Sequence, residues 1–421
     1  MTDAPRHLST GTDGGQHSAG DVVVDGDHAP LVLGLLPEGV GSIGDTIPEL
    51  GLSLLRFDTS QDLEAAIAGV VAGIHEVTAG DYQPEGADPV ERLMASLRFS
   101  SRVRWDGWVP TMGKNRVVMG GEAMPYFSPK DGPDGPIDGP ARLPSPAGVT
   151  SDDGSGVVIG VLDTRVIRHP VFADAVRFLG DTETTSDQVT QAWQGHGTFV
   201  TGLVHAHAPG AAIVAKAALT RDDGLATAWE AAKGLVRLVA AGADVVNLSL
   251  GCVTGDDQPP FAVRAAVERL RDRVVLVAAA GNYDHEQDAT SPPSWPAALD
   301  GVLAVASGTR AVLSSFSPDQ PWVDLVAHGS DVAGPFATQD DVTCLLRGGG
   351  TVRRDFHGTA VWSGTSFAAA VVAGRIAGLA TASGYPYAGL PLREVAKRLR
   401  DERHPGDDVA QRPKTGAARR Y

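Results

Sequence analysis

From Val157 onward, short apolar runs rich in β-branched residues recur, each bounded by polar or glycine-containing stretches: "VVIGVL", "AIVAKA", "DVVNLSL", "RVVLVAAA" and "VLAVAS". Between them lie segments in which apolar residues return every three or four positions, such as "LATAWEAAKGLVRLVAAG" and "FAVRAAVERLRD". Continuous apolar runs suit strands buried on both faces, and the intervening period suits amphipathic helices. Alternation of the two predicts an α/β architecture, a three-layer, doubly wound and mostly parallel sheet over residues 157–390.

The pattern before that region is different. Residues 1–29 are rich in Gly, Asp, Ser and His and carry few large apolar side chains, so they are expected to be a disordered segment. Residues 30–127 read as a smaller α+β domain, with "LVLGLL" and "LSLLRF" as strands, a helix over "SQDLEAAIAGVVAGI" capped by Ser60, and a second helix over "DPVERLMASL". Repeated Pro and Gly over 128–156 forbid long helices and central strands, which makes this stretch the linker. At the other end, residues 391–421 read as an amphipathic helix, "PLREVAKRLRDER", followed by a basic tail.

Composition narrows the function. A net charge of -16 argues against a general nucleic-acid or anionic-membrane binder, because phosphate contacts need clustered Lys and Arg. Two cysteines, Cys252 and Cys344, cannot build the disulfide framework of a small secreted domain. The N-terminus lacks the basic start and apolar run of a secretory signal, and no apolar stretch reaches membrane-spanning length without interruption. A cytoplasmic protein is the expectation.

In doubly wound sheets, ligands gather beyond the carboxyl ends of the strands, so polar residues that end apolar runs are the candidates. Four stand out. "VVIGVLDT" ends in Asp163, "QGHGTFV" places His196 between glycines ahead of a helical run, "VVLVAAAGN" ends in Asn282, and "SGTSFAAA" sets Ser366 at the start of a small-residue helix. Each has an ordinary structural explanation: a turn-starting Asp, a helix-start His, a Gly-Asn turn and a helix-capping Ser.

Together, in the order Asp, His, Asn, Ser, these motifs resemble the subtilisin-like serine proteases. Asp163-Thr164, Gly195 to Thr198, Ala279 to Asn282 and Gly364 to Ala368 match the family's signatures, and the resemblance covers about residues 157–384. It implies a serine endopeptidase in which Ser366 attacks a peptide carbonyl, His196 takes and returns the proton, and Asp163 holds His196. Asn282 and the Ser366 backbone N–H would stabilise the oxyanion. It further implies an exposed edge strand, Ser249, Leu250 and Gly251, on which a substrate peptide adds by main-chain hydrogen bonds. Ala279, Ala280 and Gly281 would wall a specificity pocket.

The sequence also departs from that pattern. Arg165 stands where the family usually has Gly, and Phe199 where many members have a second His, two changes expected at the cleft rim. Ala370 replaces a Pro four residues after the nucleophile, which keeps a peptide ligase or cyclase of the same fold as an alternative, beside a catalytically silent peptide-binding relative. The second His-Gly-Thr, at His357 to Thr359, does not open an apolar helix and is read as structural. No metal ligands can be named; structural calcium occurs in the family, but no loop here has a fitting ligand spacing, and no cofactor is expected. Peptide or protein is the expected partner, whereas nucleic acid and membrane are not. The N-terminal region is either a propeptide that acts as an intramolecular inhibitor or a permanent accessory domain.

Overall fold

A computed structural model describes residues 7–411 apart from 79, 121–145, 173, 222, 284–290, 310–311, 346–349, 384–385 and 402–408. Most of the linker expected at 128–156, and the basic tail from 412, therefore lie outside the described residues. The chain divides into two compact units: the first comprises Met1–Val117, Thr227–Lys233 and Thr254–Arg269, and the second comprises the remainder.

In the first unit, β1 (Gln16–Asp25) pairs antiparallel with both β3 (Leu52–Arg56) and β4 (Met112–Met119), and β2 (Ser42–Ile47) flanks β3. The last two residues of β4 belong to the second unit. Helices α1 (Ser60–Val77) and α2 (Pro89–Arg104) cover one face, burying Leu63, Ile67, Val70, Leu93 and Leu97 against Val22, Val24 and Leu55. The expectation of disorder over 1–29 fails for residues 7–29. Val22, Val23 and Val24 are fully buried in the sheet, and the polar residues beside them find partners, with the Ser18 hydroxyl and the Asn115 amide donating to Asp21 Oδ2 at 2.8 and 3.2 Å.

Two local readings are also corrected. "LVLGLL" contributes to a short helix, Ala29–Leu33, not a strand, and Pro30 sits in its first turn where no N–H is needed. The cap of α1 is Thr59, whose hydroxyl accepts from the Asp62 N–H while the Asp62 carboxylate accepts from the Thr59 N–H. The boundary at 127 is revised as well, since two later stretches, Thr227–Lys233 and Thr254–Arg269, fold with the first unit. Arg116 reaches Asp256 on one of them at 2.7 Å.

The second unit holds the predicted sheet. In spatial order it runs through β11 (Leu325–Ala327), β10 (Val302–Ser307), β9 (Val275–Ala279), β8 (Val245–Leu248), β5 (Val158–Asp163), β7 (Ala212–Ala217) and β6 (Val176–Phe178), all parallel, with the C-terminal Val409–Gln411 added antiparallel beside β11. Side chains alternate across it. Ile159 and Val161 join a core with α3 (His196–His207) and α4 (Thr365–Thr381), whereas Gly160 and Leu162 face the opposite helical layer at Leu238 and Gly234. An α/β sheet covered on both faces is thus what the periodicity predicted. A long antiparallel hairpin, β12 (Val332–Leu345) with β13 (Thr351–Trp362), leads straight into α4.

The first unit carries a compact charged cluster: Lys114 bridges Asp13 and Glu91 at 3.1 and 2.7 Å, and Arg116 also pairs with Asp13. Burial alone would raise the Asp13 carboxyl, but Arg116 and Lys114 outweigh it and hold it at about 2. A carboxyl below its unfolded value of 3.8 stabilises the fold above that pH, and the contribution is lost as pH falls toward 2. Urea unfolding of this unit is therefore expected to weaken by on the order of 1 kcal/mol, after solvent screening, between pH 5 and pH 2. In Asp13→Asn that acid dependence should shrink; an unchanged slope would contradict the assignment.

Candidate active site

Asp163 is the last residue of β5, at the carboxyl edge of the sheet, and has no exposed surface. Its Oδ1 lies 2.7 Å from His196 Nδ1 and accepts the Thr164 N–H, also at 2.7 Å. His196 opens α3, where Thr164 also serves the helix start: the Thr164 hydroxyl accepts the Gly197 N–H at 2.8 Å. The approach is close enough that a Cβ on Gly197 would come within 2.7 Å of the Thr164 carbonyl oxygen, so glycine is required for contact rather than for flexibility.

Ser366 is the second residue of α4 and is 3% exposed. The next residue, Phe367, packs its ring 5.4 Å from the His196 ring, and Trp362, at the end of β13, meets His196 edge-on at the same distance. The imidazole thus sits between the end of the hairpin and the start of the serine helix. The Ala and Gly run after Ser366 packs as expected: Cβ atoms at Gly374 and Gly378 would stand 2.8 Å from the carbonyl oxygens of Val204 and His207 on α3. Ala370 is fully buried, and α4 continues through it unbroken.

Asn282 lies beside the start of α4. Its Oδ1 accepts the Thr365 N–H at 2.9 Å and the Thr365 hydroxyl at 3.1 Å, which leaves its Nδ2 as the donor end. That Nδ2 is 3.5 Å from where a Cβ of Gly364 would lie. The Thr365 hydroxyl accepts in turn from the Gly281 N–H at 3.0 Å. Thr365 is the residue of this group that motif reading overlooked. It stood inside Gly-Thr-Ser, where attention went to the serine, although a β-branched hydroxyl there was a signal.

Two expectations need revision. Ser249, Leu250 and Gly251 were to be an exposed edge. Instead Ser249 and Leu250 are 1% and 4% exposed, and Gly251 already exchanges two main-chain hydrogen bonds with Met119, each 2.9 Å. Ser249 is tied inward as well, since its hydroxyl donates to the Ser366 carbonyl at 2.9 Å and accepts from the Asn247 amide at 2.8 Å. Second, Phe199 is not on a rim but fully buried, with its ring 4.6 Å from Phe367 and 5.7 Å from Trp362. Arg165, by contrast, is 37% exposed and pairs with Asp181.

Ala279 and Ala280 are buried at 7% and 0%, and Gly281 adopts φ 97°, a backbone conformation suited to glycine. His357 lies away from this group, exposed on β13 opposite Thr338. Among the described residues, no cluster of three or more His, Cys, Asp or Glu side chains is placed to hold a metal ion. None of the described helices is long and apolar enough to cross a membrane.

A buried carboxylate on an imidazole, a serine at a helix start and a side-chain amide beside it are groups of the kind that a serine hydrolase uses. Comparisons with known proteins identify the family. The family model described as "Subtilase family" matches residues 154–400. Thermitase from Thermoactinomyces vulgaris is 32% identical over 228 residues, covering 51% of this chain and 75% of its own. The major intracellular serine protease of Bacillus subtilis is 29% identical over 42% of this chain and 60% of its own, and mycosin-4 of Mycobacterium tuberculosis 31% identical over 60% of each. Among solved structures, fervidolysin from Fervidobacterium pennivorans, described as a keratinolytic enzyme related to subtilisin, shares the fold with a TM-score of 0.62 at 18% identity, covering 95% of this chain and 60% of its own. The chain belongs to the subtilase family and is a subtilisin-like serine endopeptidase.

The position of Thr365 carries a consequence for stability. In Thr365→Val, the Gly281 N–H and Asn282 Oδ1 each lose a buried partner, with an expected cost of about 1–3 kcal/mol. Urea unfolding in a Ser366→Ala background, which prevents self-digestion, measures it; a change below a few tenths would remove Thr365 from this role.

Proposed function

We propose that Ser366 is the nucleophile of a peptide-bond hydrolase, with His196 as general base and then general acid, and Asp163 as the group that fixes the imidazole. The observation that carries this reading is the 2.7 Å contact between His196 Nδ1 and a carboxylate with no exposed surface. Held in this way, the ring turns Nε2 to the role of proton acceptor, and the carboxylate stabilises the imidazolium formed during attack. A serine hydroxyl is a weak nucleophile at neutral pH, so this base is indispensable.

The oxyanion would be held by Asn282 Nδ2 and the Ser366 backbone N–H. Two facts support the first donor: its Oδ1 is engaged by Thr365, which fixes which end of the amide is presented, and the Gly281 N–H is anchored to the same hydroxyl. The second donor belongs to the first turn of a 17-residue helix, where the helix dipole favours negative charge.

The substrate is a polypeptide, and the chain's own N-terminal region serves as an intramolecular inhibitor. Support comes from Met119, which pairs with Gly251 in the two-way pattern that a bound peptide strand would use. An edge that is filled by the chain itself favours dedicated processing over indiscriminate degradation.

Turnover of a denatured protein substrate tests the roles. Ser366→Ala should abolish it, Asp163→Asn should lower kcat by about 10⁴-fold, and Asn282→Ala by about 10²- to 10³-fold. In Met119→Pro, which removes one of the two N–H donors, short-peptide cleavage should rise several-fold. Full activity in Asp163→Asn would contradict the triad, and unaltered peptide cleavage in Met119→Pro would contradict the inhibitor.

A further inference from the structure

An open cavity of about 640 Å³ lies within the first unit, and none of the residues assigned to catalysis lines it. Local sequence spacing builds its walls. Glu91, Met94, Ala95 and Arg98 recur three and four residues apart, so they form one stripe of α2 and make one wall. Phe261 and Arg264, three apart on the helix Phe261–Leu270, make a second; all of that helix but Leu270 belongs to this unit. Met112 and Gly113, at the start of β4, touch both walls. Arg98 Nη2 donates to the Met112 carbonyl at 3.1 Å, and a Cβ on Gly113 would stand 2.8 Å from Phe261 Cβ, so glycine there lets the helix close on the strand.

The charges lining the cavity do not cancel pair by pair. Lys114 is matched by Asp13 and Glu91, and Arg116 by Asp13 and Asp256. Arg98 and Arg264 have no such match, since neither meets a carboxylate among the described residues. Arg98 spends one of its five donors on Met112; burial of its inner part pulls its pKa below the usual value, while its outer part stays exposed. Arg264 holds its guanidinium carbon 5.8 Å from the centroid of the Phe261 ring, and its Nε is buried without a hydrogen-bond partner among the described residues. A buried N–H left unpaired is destabilising, and an incoming acceptor removes that cost. Glu85 also lines the space, but it is exposed, where water and salt screen its charge. A chain of net charge -16 has carboxylates to spare for its cations, so two unmatched guanidiniums in one concavity call for an acceptor from outside.

We propose that this cavity binds a small amphipathic anion, with a carboxylate or phosphate head held by Arg98 and Arg264 and an apolar body against Met94, Met112 and Phe261. A guanidinium presents paired donors that match either oxyanion, and the volume is in the range of small-molecule sites. The walls come from residues 12–116 and from 256–264, so an occupant ties the N-terminal region to the later segment and stabilises the arrangement that binds it. If the N-terminal region is the inhibitor, the anion delays its release. That consequence rests on the protease reading, whereas the binding site does not.

Titration of the full chain carrying Ser366→Ala, followed by NMR line broadening of the added compound at fixed ionic strength, tests the site without turnover. The probes are phenyl phosphate and phenylacetate, with phenethyl alcohol as the uncharged control. At least one anion should saturate with a Kd of about 1 mM or tighter, and the alcohol should bind about 10-fold more weakly or worse; the tighter anion identifies the head group. Arg98→Gln combined with Arg264→Gln should weaken that anion by about 10-fold or more. No saturation by either anion, equal binding of the alcohol, or unaltered binding in the double variant would overturn the site. The comparison of probes needs no variant, so it decides the matter even where the double variant misfolds. In the active full chain, the saturating anion should lengthen the lag before short-peptide cleavage several-fold. An unchanged lag despite binding, with Met119→Pro still raising cleavage, would overturn the coupling alone and leave the inhibitor reading in place.

Discussion

Burying an ionised carboxylate costs several kcal/mol unless hydrogen bonds replace its lost water, and Asp163 has no exposed surface. What compensates it is the His196 Nδ1 contact and the Thr164 N–H, both 2.7 Å away on the same oxygen. Its other oxygen is buried without a hydrogen-bond partner among the described residues. Much of the local architecture stems from meeting that requirement. The β5 strand must end at Asp163, α3 must begin at His196, and the Thr164 hydroxyl joins the two by capping the Gly197 N–H. Removing His196 alone would leave a buried charge with one donor, so its cost to stability would exceed that of an ordinary surface histidine.

Around this pair, the serine helix is set by close packing rather than by charge. Gly374 and Gly378 let α4 approach α3, and an aromatic cluster of Phe199, Trp362 and Phe367 grips the imidazole from the side. Phe336 extends the cluster, its ring occupying the space where a Cβ of Gly195 would fall. The hairpin that supplies Phe336 and Trp362 therefore buttresses His196, the residue proposed to carry the proton.

The parts of this fold that were readable in the sequence are those with one dominant local signal. Continuous β-branched runs gave the parallel strands, because a strand buried on both faces tolerates nothing else. Asp163 and Asn282 were readable as polar residues that end apolar runs, and His196 and Ser366 as polar residues that open helical ones. What was missed depended on partners distant in sequence. The β1 strand carries His17, Ser18 and Asp21 inside the fold, a pattern that reads as disorder until Asn115 and Arg56 are placed beside Asp21. The hairpin strands mix Gly334, Pro335, Asp340 and Asp341 with apolar residues, which obscures their period. Thr59 against Ser60 was decidable from Asp62, three residues after Thr59, as a capping box requires. No local pattern could announce that Met119 would occupy Gly251.

That pairing supports the proposed reading, in which the Gly251 edge is the place where a polypeptide strand aligns with Ser366. Everything nonetheless depends on Ser366 being activated by the His196 and Asp163 pair. The most direct measurement is mass spectrometry of the protein after exposure to a fluorophosphonate, which captures only activated serines. The account predicts a single adduct on the peptide containing Ser366, strongly slowed in Asp163→Asn and absent in Ser366→Ala. An adduct on another residue, or an unmodified Ser366 in the protein freed of its N-terminal region, would contradict it.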